Sequence, residues 1–386
     1  MNVQASGPLP LEIRILAAGR LPQGRYLGAL AGLGAVNLGV ELVSRLARDP
    51  VLPEIQRAVW GMARSHTQGM NPGRTIALKA GLGDRCFSST VNMACGSSLQ
   101  ALIHGCEALA LGARGALLAG GSEAMSDTPH LLPGLRRGLR MGHREAPDVM
   151  IQDGLRCPVT GLLMGETVER LAARHGVTRT EADGFALASH LKASAADFGA
   201  ELHPLPQLGE DECVRPGDTL EALRALRPVF APGGQITAGN ASALSDGAAA
   251  LVLARREDGG EAKPLGRILG WAEAAVDPLD MGEAPVPAVR ALLAAHGLAL
   301  RDIGLWELNE AFAAQVLVCA RQLDLPLERL NAAGGAIALG HPIGASGARI
   351  VVTRVHQLRL RGGGLGVATL GIGGGLALAL LVEAWP

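Results

Sequence analysis

Asn331-Ala-Ala-Gly-Gly-Ala-Ile-Ala-Leu-Gly-His341-Pro-Ile-Gly-Ala-Ser-Gly347 is the stretch on which the reading of this chain turns. One histidine stands among residues that are otherwise small, apolar or turn-forming. Only glycine takes positive φ freely and lets a ligand approach the backbone, so the run predicts a tight loop built around His341. Ile350 to Leu360, directly after it, predicts a helix. The same layout occurs earlier. Asn92-Met-Ala-Cys95-Gly-Ser-Ser-Leu-Gln100 opens a second apolar helix over Ser97–Leu111, with Leu99, Leu102, Ile103, Cys106, Leu109 and Ala110 on helical spacing. A lone cysteine at a helix start and a lone histidine in a glycine loop suggest a pair for acyl transfer through a thiolate.

Working outward, the two regions repeat one order of elements. After Cys95 come a helix, a stop at Gly112, and a buried strand over Gly115–Gly121 that ends in a glycine turn. After His341 come a helix that Gly344-Ala-Ser-Gly-Ala-Arg-Ile350 starts, a stop at Arg361-Gly-Gly-Gly364, a strand over Leu365–Leu370, and the turn Gly371-Ile-Gly-Gly-Gly375. A duplicated α/β unit follows, its halves placing their loops at one shared site. Helices are also expected over Val40–Ala47 and Thr75–Gly81, and a buried strand over Ile303–Leu308. Between Met125 and Ala243 the prolines and charged loops concentrate. One clear helix, Arg179–Phe198, is expected there with Thr180 as its N-cap. This middle region reads as an insertion. The expected division is 1–124 with 245–264 for the first half, 125–244 for a loop domain, and 265–386 for the second half.

Composition bounds the function. A chain of 386 residues, 48% of them hydrophobic, is a globular protein of two or three domains and not a disordered one. A formal net charge of −1 offers no field for nucleic acid, and 3% aromatic residues offer few stacking surfaces. The longest apolar run, near Leu376–Val382, is too short to cross a bilayer. Met1–Leu30 shows no signal-peptide pattern, so a soluble, cytoplasmic protein without membrane or nucleic-acid partners is expected. Cys86, Cys95, Cys106, Cys157, Cys213 and Cys319 show no CxxC spacing, which argues against a zinc site or a disulfide framework.

Each candidate residue carries two readings. The helix after Cys95 favours an anion at its start and so a reactive thiolate; against that, cysteine is often a small buried residue. Gly96-Ser97-Ser98 leaves room beside it for an acyl group. His341 suits a positioned base, or a loop residue bonded to backbone carbonyls. Asn309, in Asn309-Glu-Ala-Phe312, caps the next helix or holds a water against a reacting oxygen. Gly371-Ile-Gly373 offers bare N–H groups of the kind that bind an oxyanion. Asn240-Ala-Ser242 reads as a turn, with Ser242 a ligand contact.

Taken together, these stretches resemble the thiolase family over nearly the whole chain. Arg20-Leu-Pro-Gln-Gly24 is similar to the family's opening turn, Gly69-Met-Asn-Pro-Gly-Arg74 to its Gly-Gln-Asn-Pro-x-Arg segment, and Asn92-Met-Ala-Cys95-Gly-Ser to its nucleophile motif. Met164-Gly165-Glu166, Asn240-Ala-Ser242, Asp246-Gly-Ala248 and Met281-Gly282 follow in order. Asn309-Glu-Ala-Phe312 and Gly340-His341-Pro-Ile-Gly344 are the most specific. The resemblance implies a five-layered α/β/α/β/α sandwich of two similar α/β halves, plus an inserted loop domain that binds coenzyme A. It implies a homodimer or homotetramer acting on coenzyme A thioesters, with no other cofactor and no metal. Cys95 would take the acyl group and His341 would activate it. Asn309 would hold the water of one oxyanion hole, with His341 as its other donor. The N–H groups of Cys95 and Gly373 would form a second hole. Ser242 and the loop domain would hold the pantetheine arm. Met164, Met281, Leu163 and Phe312 would shape the substrate pocket.

One departure outweighs the rest. The family begins its last motif, Cys-x-Gly, with a cysteine that moves the α-carbon proton of the second acyl-CoA. Here that position is Gly371, and glycine transfers no proton. A general acid or base is typically worth ~10²–10⁴ in rate, so the carbon–carbon step is expected to be impaired while acyl transfer onto Cys95 survives. Leu163, where many members carry histidine, and Ala284, which replaces a glycine, alter the pocket. Three functions stay open at this stage: an acetyl-CoA C-acyltransferase that makes or cleaves 3-ketoacyl-CoA, an acyltransferase or thioesterase without carbon–carbon chemistry, and a non-catalytic acyl-CoA binder.

Overall fold

Glycines that look like loop residues in the sequence lie inside helices in the computed structural model, which describes residues 1–386. The helix after His341 begins at Ile343, beside the expected start at Gly344–Ile350, and takes in Gly344 and Gly347 of the quoted stretch. A Cβ on Gly347 would stand 2.5 Å from the backbone nitrogen of Leu99. That glycine exists so that two helices touch backbone to backbone. Gly39 in the first helix makes room for a side chain instead: a Cβ there would meet Ile76 Cδ1 at 2.6 Å. The first helix therefore starts at Gly34, earlier than the expected Val40.

Eleven strands join in one hydrogen-bonded sheet. They are β1 (Asn2–Ala5), β2 (Ile13–Arg20), β3 (Gly24–Arg25), β4 (Ile55–Gly61), β5 (Phe87–Val91), β6 (Ala116–Ala124), β7 (Ser245–Arg255), β8 (Gly266–Ala275), β9 (Leu305–Leu308), β10 (Gly364–Ile372) and β11 (Leu376–Ala384). The order is β5-β4-β6-β7-β2-β8-β11-β10-β9, with β1 on β8 and β3 on β7. The repeat is visible in this order. In the first half β4 runs parallel to β6, which turns antiparallel into β7. In the second, β9 runs parallel to β10, which turns antiparallel into β11. Only the short pairing of Ile13–Ile15 with Gly266–Ile268 joins the halves. Residues 2–5, expected in the first half, pair instead with β8 of the second. No strand falls within 125–244.

The helices are α1 (Gly34–Leu46), α2 (Pro72–Lys79), α3 (Ser97–Ala110), α4 (Met164–Arg174), α5 (Arg179–Ala195), α6 (Leu220–Arg224), α7 (Pro285–Ala295), α8 (Ala313–Gln322), α9 (Ala336–Leu339) and α10 (Ile343–Arg359). α3 and α10 form the central layer. Leu99, Leu102 and Ile103 on one, and Ile350, Val351 and Val355 on the other, pack between Leu117, Leu251 and Leu253 of the first half-sheet and Leu370, Leu378 and Leu380 of the second. α1 and α2 cover the far side of the first half-sheet, and α7 and α8 the far side of the second. The result is the expected five-layered α/β/α/β/α sandwich. α10 is buried along nearly its whole length because sheet encloses it on both sides. Its buried polar residues are paired: Arg349 and Arg354 with Glu307, Thr353 with Glu201 and His356 with Ala18 O.

The cap of α5 differs from the expectation. Thr178, not Thr180, is the N-cap, and its hydroxyl accepts from Glu181 N at 3.3 Å while Glu181 accepts from Thr178 N at 2.9 Å. A capping box needs its acid three residues on, and Glu181 stands at that spacing from Thr178. Asp183 bonds Arg179 and Asn240 instead.

Candidate active site

α3 and α10 meet near their N-terminal ends, where Ser98 Oγ accepts from Ala348 N at 2.9 Å. Each helix carries one candidate residue just before its first turn, Cys95 on one side and His341 on the other. Sequence-distant loops are thus brought to one place by the central layer.

The turn that holds Cys95 is strained and braced. Ala94 has φ +46, a left-handed value uncommon for a residue with a Cβ. Its N–H donates to Asn92 Oδ1 at 3.0 Å, and its carbonyl accepts from Ser97 Oγ at 2.7 Å. Ser97 Oγ also accepts from Met93 N at 2.9 Å. Such strain persists only where the surroundings over-determine it, and it clusters at active sites. Burial pushes the Cys95 thiol up from its ordinary pKa. The Arg64 guanidinium and the backbone N–H groups of Gly373 and of Cys95 itself oppose that shift. The two N–H groups expected to form an oxyanion hole therefore converge on the sulfur.

His341 is 7% exposed. Its Nδ1 lies 2.6 Å from Ser346 Oγ, and that hydroxyl donates to Pro342 O at 3.0 Å. The hydroxyl's one hydrogen is thus committed. Nδ1 must carry the proton and donate, leaving Nε2 with a free lone pair. Nε2 is buried and has no protein partner. Burial first, then the Arg349 and Arg64 cations, lower the pKa to about 3. The imidazole is neutral at physiological pH, as a base must be.

That shift predicts a stability effect with a definite sign. The folded pKa of about 3 lies below the ordinary 6.5, so between these values the unfolded chain binds the extra proton. The stabilisation is complete above pH 6.5 and is lost as pH falls towards 3. At pH 5 the loss from this residue is ~2 kcal/mol, at 1.36 kcal/mol per unit. His341→Asn should therefore lose ~2 kcal/mol less than the parent between pH 7 and pH 5, read from urea midpoints. Equal losses would place the titrating imidazole elsewhere.

Cys95, His341, Gly371, Gly373, Ser242, Met164, Met281 and Phe312 line one cavity of about 60 Å³, together with Gly154, Leu155, Ala311, Gln315 and Ile343. This is far below the ~300–1,000 Å³ of pockets that hold larger ligands, so it admits a short group. Two residues named from the sequence lie off its wall. Leu163 is the N-cap residue of α4, and its N–H donates to Glu166 Oε2 at 2.5 Å. Helix geometry turns it away while its neighbour Met164 faces in. Asn309 does not reach the wall either, and it caps no helix, because α8 starts at Ala313 after Phe312. Its Oδ1 accepts from Arg349 at 3.4 Å, which fixes the amide and leaves Nδ2 buried without a protein partner. Arg349 in turn binds Glu307 at 2.7 Å.

The rest of the Asn309-Glu310 motif holds the histidine segment in place. Buried Glu310 accepts from Ser189 Oγ at 2.7 Å, Asn331 Nδ2 at 2.8 Å and Ile337 N at 3.2 Å. It ties α5, the turn at Asn331 and α9 together just ahead of His341. Asn240 is likewise structural: its Nδ2 donates to Asp183 Oδ1 at 2.8 Å and to Gln235 O at 2.9 Å. Sequence reasoning missed Ser346, Gln315, Leu155, Arg64 and Glu123. Ser346 lay inside the quoted stretch, five residues after His341, but nothing in its spacing showed that the intervening turn folds it back.

Comparison with known proteins agrees with this geometry. The family models "Thiolase, N-terminal domain" and "Thiolase, C-terminal domain" match residues 13–257 and 262–384. Among curated proteins, an acetyl-CoA acetyltransferase of Pseudomonas aeruginosa is 44% identical, covering 96% of this chain and 98% of its own. One of Escherichia coli is 41% identical over 96% and 98%. Among solved structures, human mitochondrial 3-ketoacyl-CoA thiolase in complex with CoA superposes with a TM-score of 0.93 at 35% identity, covering 98% of this chain and 99% of that one. The acetyl-CoA acetyltransferase of Bacillus anthracis gives 0.93 at 38% identity, covering 98% and 100%. Matched by both family models across nearly its whole length, and 44% identical to a relative that it covers almost entirely, this chain belongs to the thiolase family.

Proposed function

We propose that the protein is a thiolase-type acyl-CoA acyltransferase that works through an acyl-Cys95 intermediate, and that its carbon–carbon step is slow. The observation that carries this reading is the cavity itself. A cysteine faced by two backbone N–H groups shares it with a neutral histidine whose free nitrogen is Nε2. Cys95 Sγ attacks the thioester carbonyl as Nε2 takes the thiol proton. Gly373 N–H and Cys95 N–H receive the developing oxyanion. Collapse expels coenzyme A sulfur, to which His341 returns the proton. Asn309 Nδ2, held by Arg349, is placed to bind a water that serves the second oxyanion. Ser242 supports the pantetheine arm. No group with a titratable proton stands at Gly371.

The names of the relatives, acetyl-CoA acetyltransferase and 3-ketoacyl-CoA thiolase, motivate acetyl-CoA as the first substrate to test. A cytoplasmic homo-oligomer completes the proposal. Edge strand β5, with Phe87 63% exposed, favours pairing with a second copy. No helix is long and apolar enough to cross a membrane.

Intact-mass kinetics test the reading. Acetyl-CoA should load an acetyl group onto Cys95 quickly. Acetoacetyl-CoA, which must lose a carbon–carbon bond to give the same adduct, should do so ~10² times more slowly or worse. Equal rates would remove the impairment. No acetyl adduct from either would remove the acyl-enzyme.

A further inference from the structure

Gln315 lines the Cys95 cavity, and the acyl-transfer steps do not use it. It is 2% exposed, and its Oε1 is buried without a protein partner. Which amide atom is free follows from Cys319, one turn further along α8. The Cys319 thiol donates its single hydrogen to Gly282 O at 3.1 Å. Its sulfur can then only accept, and Gln315 Nε2 donates to it at 3.6 Å. The amide is thereby oriented, with one buried acceptor left over that calls for a donor.

The neighbours of Gln315 place that acceptor on the side of Gly371. A Cβ on Gly282 would stand 3.3 Å from Gln315 Cγ, and a Cβ on Gly371 would stand 2.9 Å from Met281 O. Gln315 and Gly371 thus pack on adjacent residues of one turn, and both line the cavity. The same wall holds His341, whose Nε2 is a second buried acceptor without a protein partner. A cavity of about 60 Å³ has room for one or two waters at ~30 Å³ each. A water between two acceptors donates both its hydrogens, and its lone pairs stay free to accept from a substrate.

We infer that Gln315 is a positioning residue for the carbon–carbon step: its Oε1 holds a water that moves the α-carbon proton where Gly371 supplies no thiol, with His341 Nε2 at the far end of the relay. This rests on the acyl-Cys95 reading above. In condensation the water oxygen takes the α-proton of the second acetyl-CoA while one of its own hydrogens passes to Nε2. The freed electron pair forms the new bond to the acetyl carbonyl carbon. The bond from that carbon to Cys95 Sγ breaks, and the sulfur takes the proton from Nε2. Cleavage runs the same transfers backwards. Loading Cys95 from acetyl-CoA needs no α-proton transfer and no such water. A neutral amide anchors the water and transfers no proton itself, in keeping with a slow step.

Acetylation of Cys95 is followed by intact mass with two probes, acetyl-CoA and acetoacetyl-CoA, in the unmodified protein, Gln315→Leu and Gln315→Glu. Gln315→Leu should lose ~10²-fold with acetoacetyl-CoA while changing less than ~3-fold with acetyl-CoA. Gln315→Glu keeps an acceptor oxygen at the same reach and should keep at least the parent rate with acetoacetyl-CoA. In the unmodified protein, the rate of acetoacetyl-CoA cleavage in mixtures of H2O and D2O should fall along a curve, because two protons move together. A straight line, the mark of one proton, overturns the inference whether or not the variants fold. An equal change with both probes in Gln315→Leu, no change with either, or a Gln315→Glu rate as low as that of Gln315→Leu overturns it too. Loading from acetyl-CoA with no cleavage of acetoacetyl-CoA overturns it and leaves the acyl-enzyme standing. Failure of both probes removes the acyl-enzyme itself, and the relay with it.

Discussion

Cys95→Ala is expected to abolish acyl loading, with a fall of at least ~10⁴-fold in any reaction that passes through the acyl-enzyme. The loss is chemical and not structural. The turn is braced by Asn92, Ser97 and Ala94 through their own side chains and backbone, none of which involves the Cys95 sulfur. The variant should therefore fold as the parent does. No other thiol lines the cavity, and the remaining five cysteines are buried. One of them needs a control. Cys157 keeps a pKa below the ordinary thiol value, because hydrogen bonds from Thr160 and Val159 outweigh the effect of burial. Peptide mapping separates an adduct there from one on Cys95. Acetyl loading that persisted in Cys95→Ala at the parent rate would remove Cys95 from the mechanism.

The fold was legible in the sequence to the extent that its elements repeat. Helix, glycine stop, buried strand and glycine turn follow both Cys95 and His341, and the structure places the paired strands β6–β7 and β10–β11 in equivalent positions. What the repeat did not reveal was the purpose of its glycines. Isolated helices disfavour glycine, yet Gly39, Gly344 and Gly347 lie inside α1 and α10. In the folded protein Gly344 and Gly347 let backbones touch and Gly39 admits the Ile76 side chain, and the packing outweighs the propensity. Their effect cannot be read from one segment, because the colliding atom belongs to another: Ile76, Ala63 and Leu99 in turn. The loop expected around His341 is confined to the few residues between α9 and α10, because α9 takes up Ala336–Leu339 and α10 starts at Ile343.

The site was legible where motif and chemistry coincide and illegible where charge alone acts. Cys95, His341, Gly373 and Ser242 meet in one cavity as their motifs imply. Leu163 was named because it stands where many family members carry histidine; it is the extended N-cap residue of α4 and lies off the wall that its neighbour Met164 lines. Asn309 was expected to cap a helix or to hold a water against the reacting oxygen; the structure sets it off the cavity wall, with its amide oriented by Arg349 and no helix to cap. Arg64 carries no motif at all. Nothing in Met62-Ala-Arg64-Ser distinguishes a surface arginine from a buried one, and only the packing of Gly154 against it reveals the difference.

Gly371→Cys is expected to raise cleavage of acetoacetyl-CoA, but by less than a full general acid–base contribution of ~10²–10⁴. The reason is steric. Gly371 lies on β10 and lines the cavity, and a Cβ there would stand 2.9 Å from the carbonyl oxygen of Met281. That atom is backbone, so the segment Pro278–Glu283 or β10 itself must shift to admit any side chain. Overpacking of this kind costs ~1–3 kcal/mol and displaces the very thiol being introduced. A gain of about 10-fold in cleavage is the expected balance of restored chemistry against imperfect placement. Gly371→Ala separates the two, because it brings the same Cβ collision without a thiol. If Gly371→Cys exceeds Gly371→Ala in cleavage while both load acetyl from acetyl-CoA at similar rates, the absent thiol is what limits carbon–carbon chemistry. If the two variants behave alike, the pocket has closed around glycine in a way that one side chain does not reverse, and the protein is specialised for acyl transfer alone.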